Sequence, residues 1–185
     1  MRLTGEARYQ ALLDEIRAEF PRFRLVDKSQ SLLQRSIARA LALVTLGGQR
    51  RYLDGYVTTI GSRVYVPPNW MQRTADDRWM TMRHERVHLR QFRRWTLPAM
   101  ALAYLLLPLP LGLAWFRMRV ERAAYEETLR AAAEAHGAAI LCDAAFRERI
   151  VRQFTSGAYG WMWPFRRAVE RWYDRAAAEV ARSSA

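Results

Sequence analysis

The sequence has almost no cysteine, and it lacks the features of a secretory signal peptide. Its 185 residues include one cysteine, Cys142, so no disulfide can form within the chain and an oxidising compartment is not implied. Residues 1–20 carry charges throughout and lack the apolar core and small-residue cleavage site of a secretory signal peptide. We therefore expect a cytoplasmic protein.

Lysine is almost absent, and arginine carries nearly all of the positive charge. Lys28 is the only lysine, and the formal net charge is +12. This balance indicates an anionic neighbour, either nucleic acid or a lipid surface, although a coding bias toward arginine would look the same. Aromatic residues are not regularly interleaved with the basic ones, and no known nucleic-acid module is recognisable. An arginine-rich protein associated with nucleic acid or membrane is therefore a secondary alternative.

Histidine is scarce too, yet two of the three histidines form the pattern HExxH, from His84 through Glu85 to His88. On an α-helix both imidazoles stand one turn apart on the same face, so they can bind one ion. A Zn2+ ion with three protein ligands lowers the pKa of a bound water to about 7, and Glu85 can accept its proton. The pattern therefore predicts a zinc site with Glu85 as general base. The alternative is a structural pair of buried histidines.

The surrounding residues predict that the motif lies on a helix, with Thr74 as its N-cap and its end near Trp95. A projection at about 100° per residue separates two faces of this helix. The predicted inward face holds Asp77, Thr81, His84, His88, Phe92 and Trp95. The predicted outward face holds Arg83, Arg86, Arg90, Arg93 and Arg94.

A catalytic zinc site needs a third protein ligand, and Glu121 is the main candidate. The residues after His88 exclude the extended HExxHxxGxxH form. On a helical projection Glu121 shares a face with Met118 and Leu129, whereas the neighbouring carboxylates lie on the polar side. A carboxylate on an apolar face is costly unless a charge receives it, and a zinc ion would do so. His136 is the rival third ligand.

Residues 97–116 form a run of twenty residues without a charge. Its length suits a transmembrane helix, but Pro108 and Pro110 interrupt it and arginines flank both ends. We expect a buried or interface-lying helix; a re-entrant or peripheral membrane element and a simple span are the alternatives. A span of about 30 Å would separate His88 from Glu121, so that reading excludes Glu121 as a ligand to the same ion.

The rest of the chain predicts an α+β protein that is mostly α-helical, with residues 1–185 forming a single domain. Its small antiparallel sheet of about three strands lies next to the HExxH helix and is predicted over residues 52–53, 56–60 and 63–66. Further helices are predicted over residues 3–20, 29–46, 144–154 and 164–182. The aromatic stretch 156–165 contains Tyr159, a candidate transition-state donor; a membrane-interface belt and a cap on the core are its alternatives.

This order of helix, small sheet, HExxH helix and glutamate-bearing helix resembles the zinc metallopeptidases of the gluzincin type, the thermolysin-like group in its smallest form, over residues 29–135. The resemblance implies a catalytic core at 28–135 followed by C-terminal helices at 136–185, with a peptide or protein as substrate. It implies His84, His88 and Glu121 as Zn2+ ligands and Glu85 as the base. Many gluzincins place an aspartate four residues after the ligand glutamate to orient a histidine. Here that position is Tyr125, whose hydroxyl is a candidate for orienting a histidine or stabilising the oxyanion.

A non-catalytic or regulatory zinc-binding protein is the other alternative, in which the zinc ion would act as a structural clip. The intact Glu85 argues against it, because a purely structural site needs no base beside its ligands.

Overall fold

A computed structural model describes residues 5–31, 56–95, 115–156, 162–163 and 165–183 of the chain. Within these ranges it confirms a mostly helical α+β protein with a small three-stranded sheet. The helices are α1 Gly5–Glu19, α2 Ala75–Arg94, α3 Trp115–His136, α4 Ala144–Thr155 and α5 Arg166–Ser183. The strands are β1 Arg24–Asp27, β2 Thr58–Ile60 and β3 Arg63–Val66. The chain divides into two compact units, residues 1–92 and 93–185, which are described in turn.

In the first unit, ion pairs join α1 to α2 along the length of α1. The two pairs near the start of α1 end near the start of α2, and the two pairs near the end of α1 end further along α2, so the two helices run parallel. The pairs are Glu6–Arg78 at 2.6 Å, Arg8–Asp76 at 2.6 Å, Glu15–Arg86 at 2.8 Å and Glu19–Arg90 at 2.7 Å. Two arginines predicted to face solvent, Arg86 and Arg90, therefore have acidic partners on α1.

The three-stranded sheet has β3 in its centre, in the order β1-β3-β2. The predicted hairpin between β2 and β3 is confirmed, and its turn contains Gly61 at φ +60, a conformation that glycine adopts without strain. The other neighbour differs from the prediction, because β1 pairs with β3 in parallel and the sheet is mixed. Strand β1 is only four residues long and shows no alternation of buried and exposed positions, so period-two patterning gave no signal for it. The predicted strand at 52–53 lies outside the described residues.

Helix α2 buries a different face from the predicted one. Its buried side chains are Arg78, Trp79, Met82, Glu85, His88 and Leu89. This face is rotated by about a quarter turn from the prediction, so His84 is half-buried at its margin and Trp95, just beyond the helix, is exposed. The projection assigned Arg78, Trp79 and Met82 to neither face, and all three are buried in the structure. Arg78 is buried through its ion pair with Glu6 and its stacking on the Tyr9 ring, 4.6 Å from the centroid.

The second unit contains α3, α4 and α5. Phe154 of α4 is fully buried between two aromatic rings, with centroids 5.2 Å from Tyr125 and 5.1 Å from Trp172. The indole nitrogen of Trp172 also donates to Glu126 at 3.1 Å. Aromatic packing of this kind fixes one face of α3 within the unit.

The membrane alternatives concern residues 97–116, most of which lie outside the described residues. Among the described residues, no helix combines the length and apolarity needed to cross a membrane. Residues 96–114, most of the predicted helix at 29–46, and Tyr159 lie outside the described residues. The predictions for them therefore stay predictions.

Candidate metal centre

The HExxH motif lies on α2, whose start is fixed as predicted. The Thr74 hydroxyl accepts a hydrogen bond from the backbone N–H of Asp77 at 3.1 Å, which caps the helix. Two turns later the helix presents His84 and His88 with ring centroids 4.9 Å apart. Their Nε2 atoms lie 3.2 Å from each other, so both rings direct the same nitrogen toward a common point.

Glu121 on α3 completes the group. It is only 6% exposed, as its predicted inward position requires. One ligand atom from each of Glu121, His84 and His88 lies within 4.8 Å of the other two, so this buried group could hold a metal ion. The rival ligand His136 is exposed at the end of α3, about 22 Å along the helix axis from Glu121, and does not belong to the group.

The spacing and chemistry of the three donors fit a divalent cation. Two ligands bound at about 2.05 Å in tetrahedral geometry are about 3.3 Å apart, and the two Nε2 atoms of His84 and His88 are 3.2 Å apart. Two imidazoles and a carboxylate are donors that divalent metal ions bind in proteins.

Glu85 lies beside the histidines on the same helix and has a separate partner. Its side chain is 5% exposed, and its Oε2 accepts a hydrogen bond from the Thr59 hydroxyl at 2.6 Å. Thr59 lies on β2 and is buried as well. A short bond between a hydroxyl and a carboxylate holds the carboxylate plane in one orientation. Glu85 is therefore fixed by the sheet.

His88 has its own partner on the side of the ring away from His84. The Nδ1 atom of His88 lies 2.8 Å from Oε1 of Gln91, which is three residues further along α2. Residues three apart on a helix are neighbours on its surface, so this contact follows from the helix itself. The contact with Gln91 restrains the ring of His88 on the side away from His84.

The two tyrosines named as candidates have different outcomes. Tyr125 is half-buried one turn after Glu121, and its ring packs on Phe154. Its role as an orienting or oxyanion-stabilising group stays a prediction. Tyr159 lies outside the described residues.

Ion pairs with α1 also restrain α2, the helix that carries the HExxH motif. Hydrogen bonds from Arg90 and Arg86 lower the pKa of Glu19 to about 2, although partial burial acts in the opposite direction. Arg90 donates through Nε and Nη2 to the two carboxylate oxygens at 2.7 and 2.9 Å. This bidentate contact restrains the turn of α2 that carries His88.

Sequence reasoning missed two residues of the site, Thr59 and Gln91. Gln91 could have been found, because its position three residues after His88 places it within reach on a helix. Thr59 carried no such signal, since its contact with Glu85 joins a strand to a helix across 26 residues. No family model, curated protein or solved structure matches the chain. The functional conclusion therefore depends on the site itself.

Proposed function

We propose that the protein is a zinc-dependent peptidase that hydrolyses peptide bonds. The observation that carries the proposal is the grouping of His84, His88 and Glu121 within 4.8 Å, next to a buried glutamate that is not one of the ligands. The resemblance of the motifs to gluzincins supports the same reaction class. Peptide or protein substrates follow from that class.

Zinc is the cation that the ligands favour. Carboxylate and water oxygens suit magnesium and calcium, whereas two imidazole nitrogens with one carboxylate suit zinc. When bound, the ion would lower the pKa of a water in its open position and polarise the carbonyl of the substrate. His84 lies half-buried at the margin of the buried face of α2, so water and substrate can reach the proposed ion on that side.

Glu85 is the general base of the proposed reaction. Thr59 occupies Oε2, which leaves Oε1 as the oxygen that accepts the proton of the attacking water. The same oxygen then donates that proton to the leaving amine. Because the Thr59 hydroxyl holds the carboxylate in one orientation, Glu85 does not have to be ordered at the moment of proton transfer.

Metal analysis and four variants test the metal site. Purified protein should contain about one zinc per chain, and His84→Ala and Glu121→Ala should lose it. Glu127→Gln is the matched control for the carboxylate, because Glu127 lies on the same helix and pairs with Arg130 instead. Glu85→Gln should retain zinc. Zinc content that is equal in His84→Ala and wild type would refute the site.

Hydrolysis of fluorescently labelled casein tests the reaction. Glu85→Gln should lower the rate by about 100-fold or more, because general-base catalysis contributes 10²–10⁴-fold. Glu127→Gln should cleave at the wild-type rate. If Glu85→Gln cleaves casein as fast as wild type, Glu85 is not the base. Wild-type protein that is fully loaded with zinc and cleaves neither casein nor a random peptide library would refute the peptidase.

A further inference from the structure

The contact between His88 and Gln91 determines which nitrogen of His88 carries the hydrogen. An amide oxygen can only accept a hydrogen bond, so the Nδ1 atom that lies 2.8 Å from Oε1 of Gln91 must be the donor. A neutral imidazole with hydrogen on Nδ1 has its lone pair on Nε2. That lone pair is what a metal ion requires.

The nitrogen selected in this way is the one that faces the site. The Nε2 atom of His88 is 3.2 Å from Nε2 of His84, and both histidines belong to the group with Glu121. Gln91 therefore contacts Nδ1 of His88, which leaves Nε2 directed toward His84 and available to a metal ion. His88 itself is buried, so water does not replace the partner easily.

We infer that Gln91 is a positioning residue, which fixes the tautomer and ring orientation of His88 for metal binding; the inference depends on the metal site of the proposed function. The gluzincin resemblance assigned the orienting of a histidine to the residue four after the ligand glutamate, which is Tyr125 here. Gln91 supplies such a partner from the metal helix itself. Because Gln91 and His88 are one turn apart, helix formation alone brings them together.

The opposite orientation of the Gln91 amide has the opposite consequence. An amide nitrogen next to Nδ1 of His88 would donate, and the hydrogen of the ring would then be on Nε2. In that tautomer His88 cannot bind the ion through Nε2. The two orientations can be distinguished by experiment.

Zinc affinity, measured by competition with a chromophoric chelator, is the first test. Gln91→Leu should bind zinc about 10- to 100-fold more weakly than wild type, the usual effect of removing the partner of a ligand histidine. Gln91→Glu keeps an acceptor at the same place and should bind at least as tightly as wild type. Gln10→Leu is the control, because it makes the same change at an exposed glutamine of α1.

Nitrogen NMR of histidine-labelled, zinc-free protein is the second test, and it requires neither metal nor activity. Wild-type His88 should carry its hydrogen on Nδ1, and Gln91→Leu should populate both tautomers. A role of Gln91 in folding alone would leave the tautomer of His88 unchanged. Wild-type protein with the hydrogen on Nε2 of His88 would overturn the inference.

The outcomes separate this inference from the peptidase. If Gln91→Leu weakens zinc binding but wild-type protein cleaves no peptide, the peptidase fails and the role of Gln91 stands. If Gln91→Leu binds zinc as tightly as wild type while wild type is active, the role of Gln91 fails and the peptidase stands. Wild-type protein that takes up no zinc would overturn both.

Discussion

The hydrogen bond from Thr59 to Glu85 gives a sharp prediction about stability. Thr59→Val removes the hydroxyl and keeps the branched shape that suits a strand. The bond is 2.6 Å long and ends on a carboxylate that is 5% exposed. A hydrogen bond to a charged group contributes about 1.5–3 kcal/mol, and the loss should lie in this range because valine leaves the buried oxygen unsatisfied.

Urea unfolding followed by circular dichroism, with a chelator present, measures this loss without a contribution from metal binding. Thr58→Val is the matched control on the same strand; Thr58 is only half-buried, and the change should stay within about 0.5 kcal/mol. In a Glu85→Gln background the bond ends on a neutral amide, so Thr59→Val should lose about 1 kcal/mol less there.

Activity gives a second measurement of the same bond. Thr59→Val should slow casein hydrolysis while zinc affinity stays at the wild-type value, because the Thr59 hydroxyl donates to Glu85, the proposed base, which is not one of the proposed ligands. Thr59→Ser, which restores a hydroxyl, should recover most of the rate. Equal unfolding free energies for Thr59→Val and Thr58→Val would refute the reasoning, because the hydrogen bond from Thr59 to Glu85 would then contribute nothing to stability.

Three further predictions concern an ion pair of α1, the N-cap of α4 and a buried tyrosine of α5. Glu19→Gln should lower stability by about 1–2 kcal/mol at pH 7 after allowance for solvent screening; because the pKa is about 2 in the folded protein and 4.5 ordinarily, wild-type stability should fall as pH drops from 4.5 toward 2, and the variant should lack this loss in acid titrations. Asp14→Asn, in an exposed pair, should change little. Asp143→Ala removes the N-cap of α4, which accepts from a backbone N–H at 2.7 Å, and thermal unfolding should reveal a loss of about 1 kcal/mol. Burial raises the pKa of Tyr173 to about 12, so ultraviolet titration should find this tyrosine neutral until well above pH 10. Wild-type stability should fall as pH rises from 10 toward 12, and Tyr173→Phe should not show this fall.

Local signals predicted the elements that carry the site. The cap at Thr74 and the apolar period after it gave a helix over 74–95, and the structure has Ala75–Arg94. The turn at Gly61 gave the hairpin of β2 and β3. Each of these depends on residues close together in the chain, whose conformations follow from short-range sterics and hydrogen bonds.

The hydrophobic pattern of the sequence did not predict which strands and helices lie side by side. The parallel contact of β1 with β3 and the parallel run of α1 beside α2 each join residues far apart in sequence. The ion pair of Glu6 with Arg78 also joins α1 to α2, and Arg78 lies on the buried face of α2. A projection of one helix cannot include such a partner, because the partner lies on another element.

The sequence by itself determined the relation among His84, Glu85, His88 and Gln91, because an α-helix fixes the positions of residues three and four apart once it forms. Only the tertiary structure decided that Thr59 would bind Glu85 and that Glu121 would lie within reach of the histidines. Both join residues that are far apart in the chain, and long-range approaches of this kind are set by the shape of many side chains together. Local sequence thus specified the four residues on α2, and the fold supplied Thr59 and Glu121.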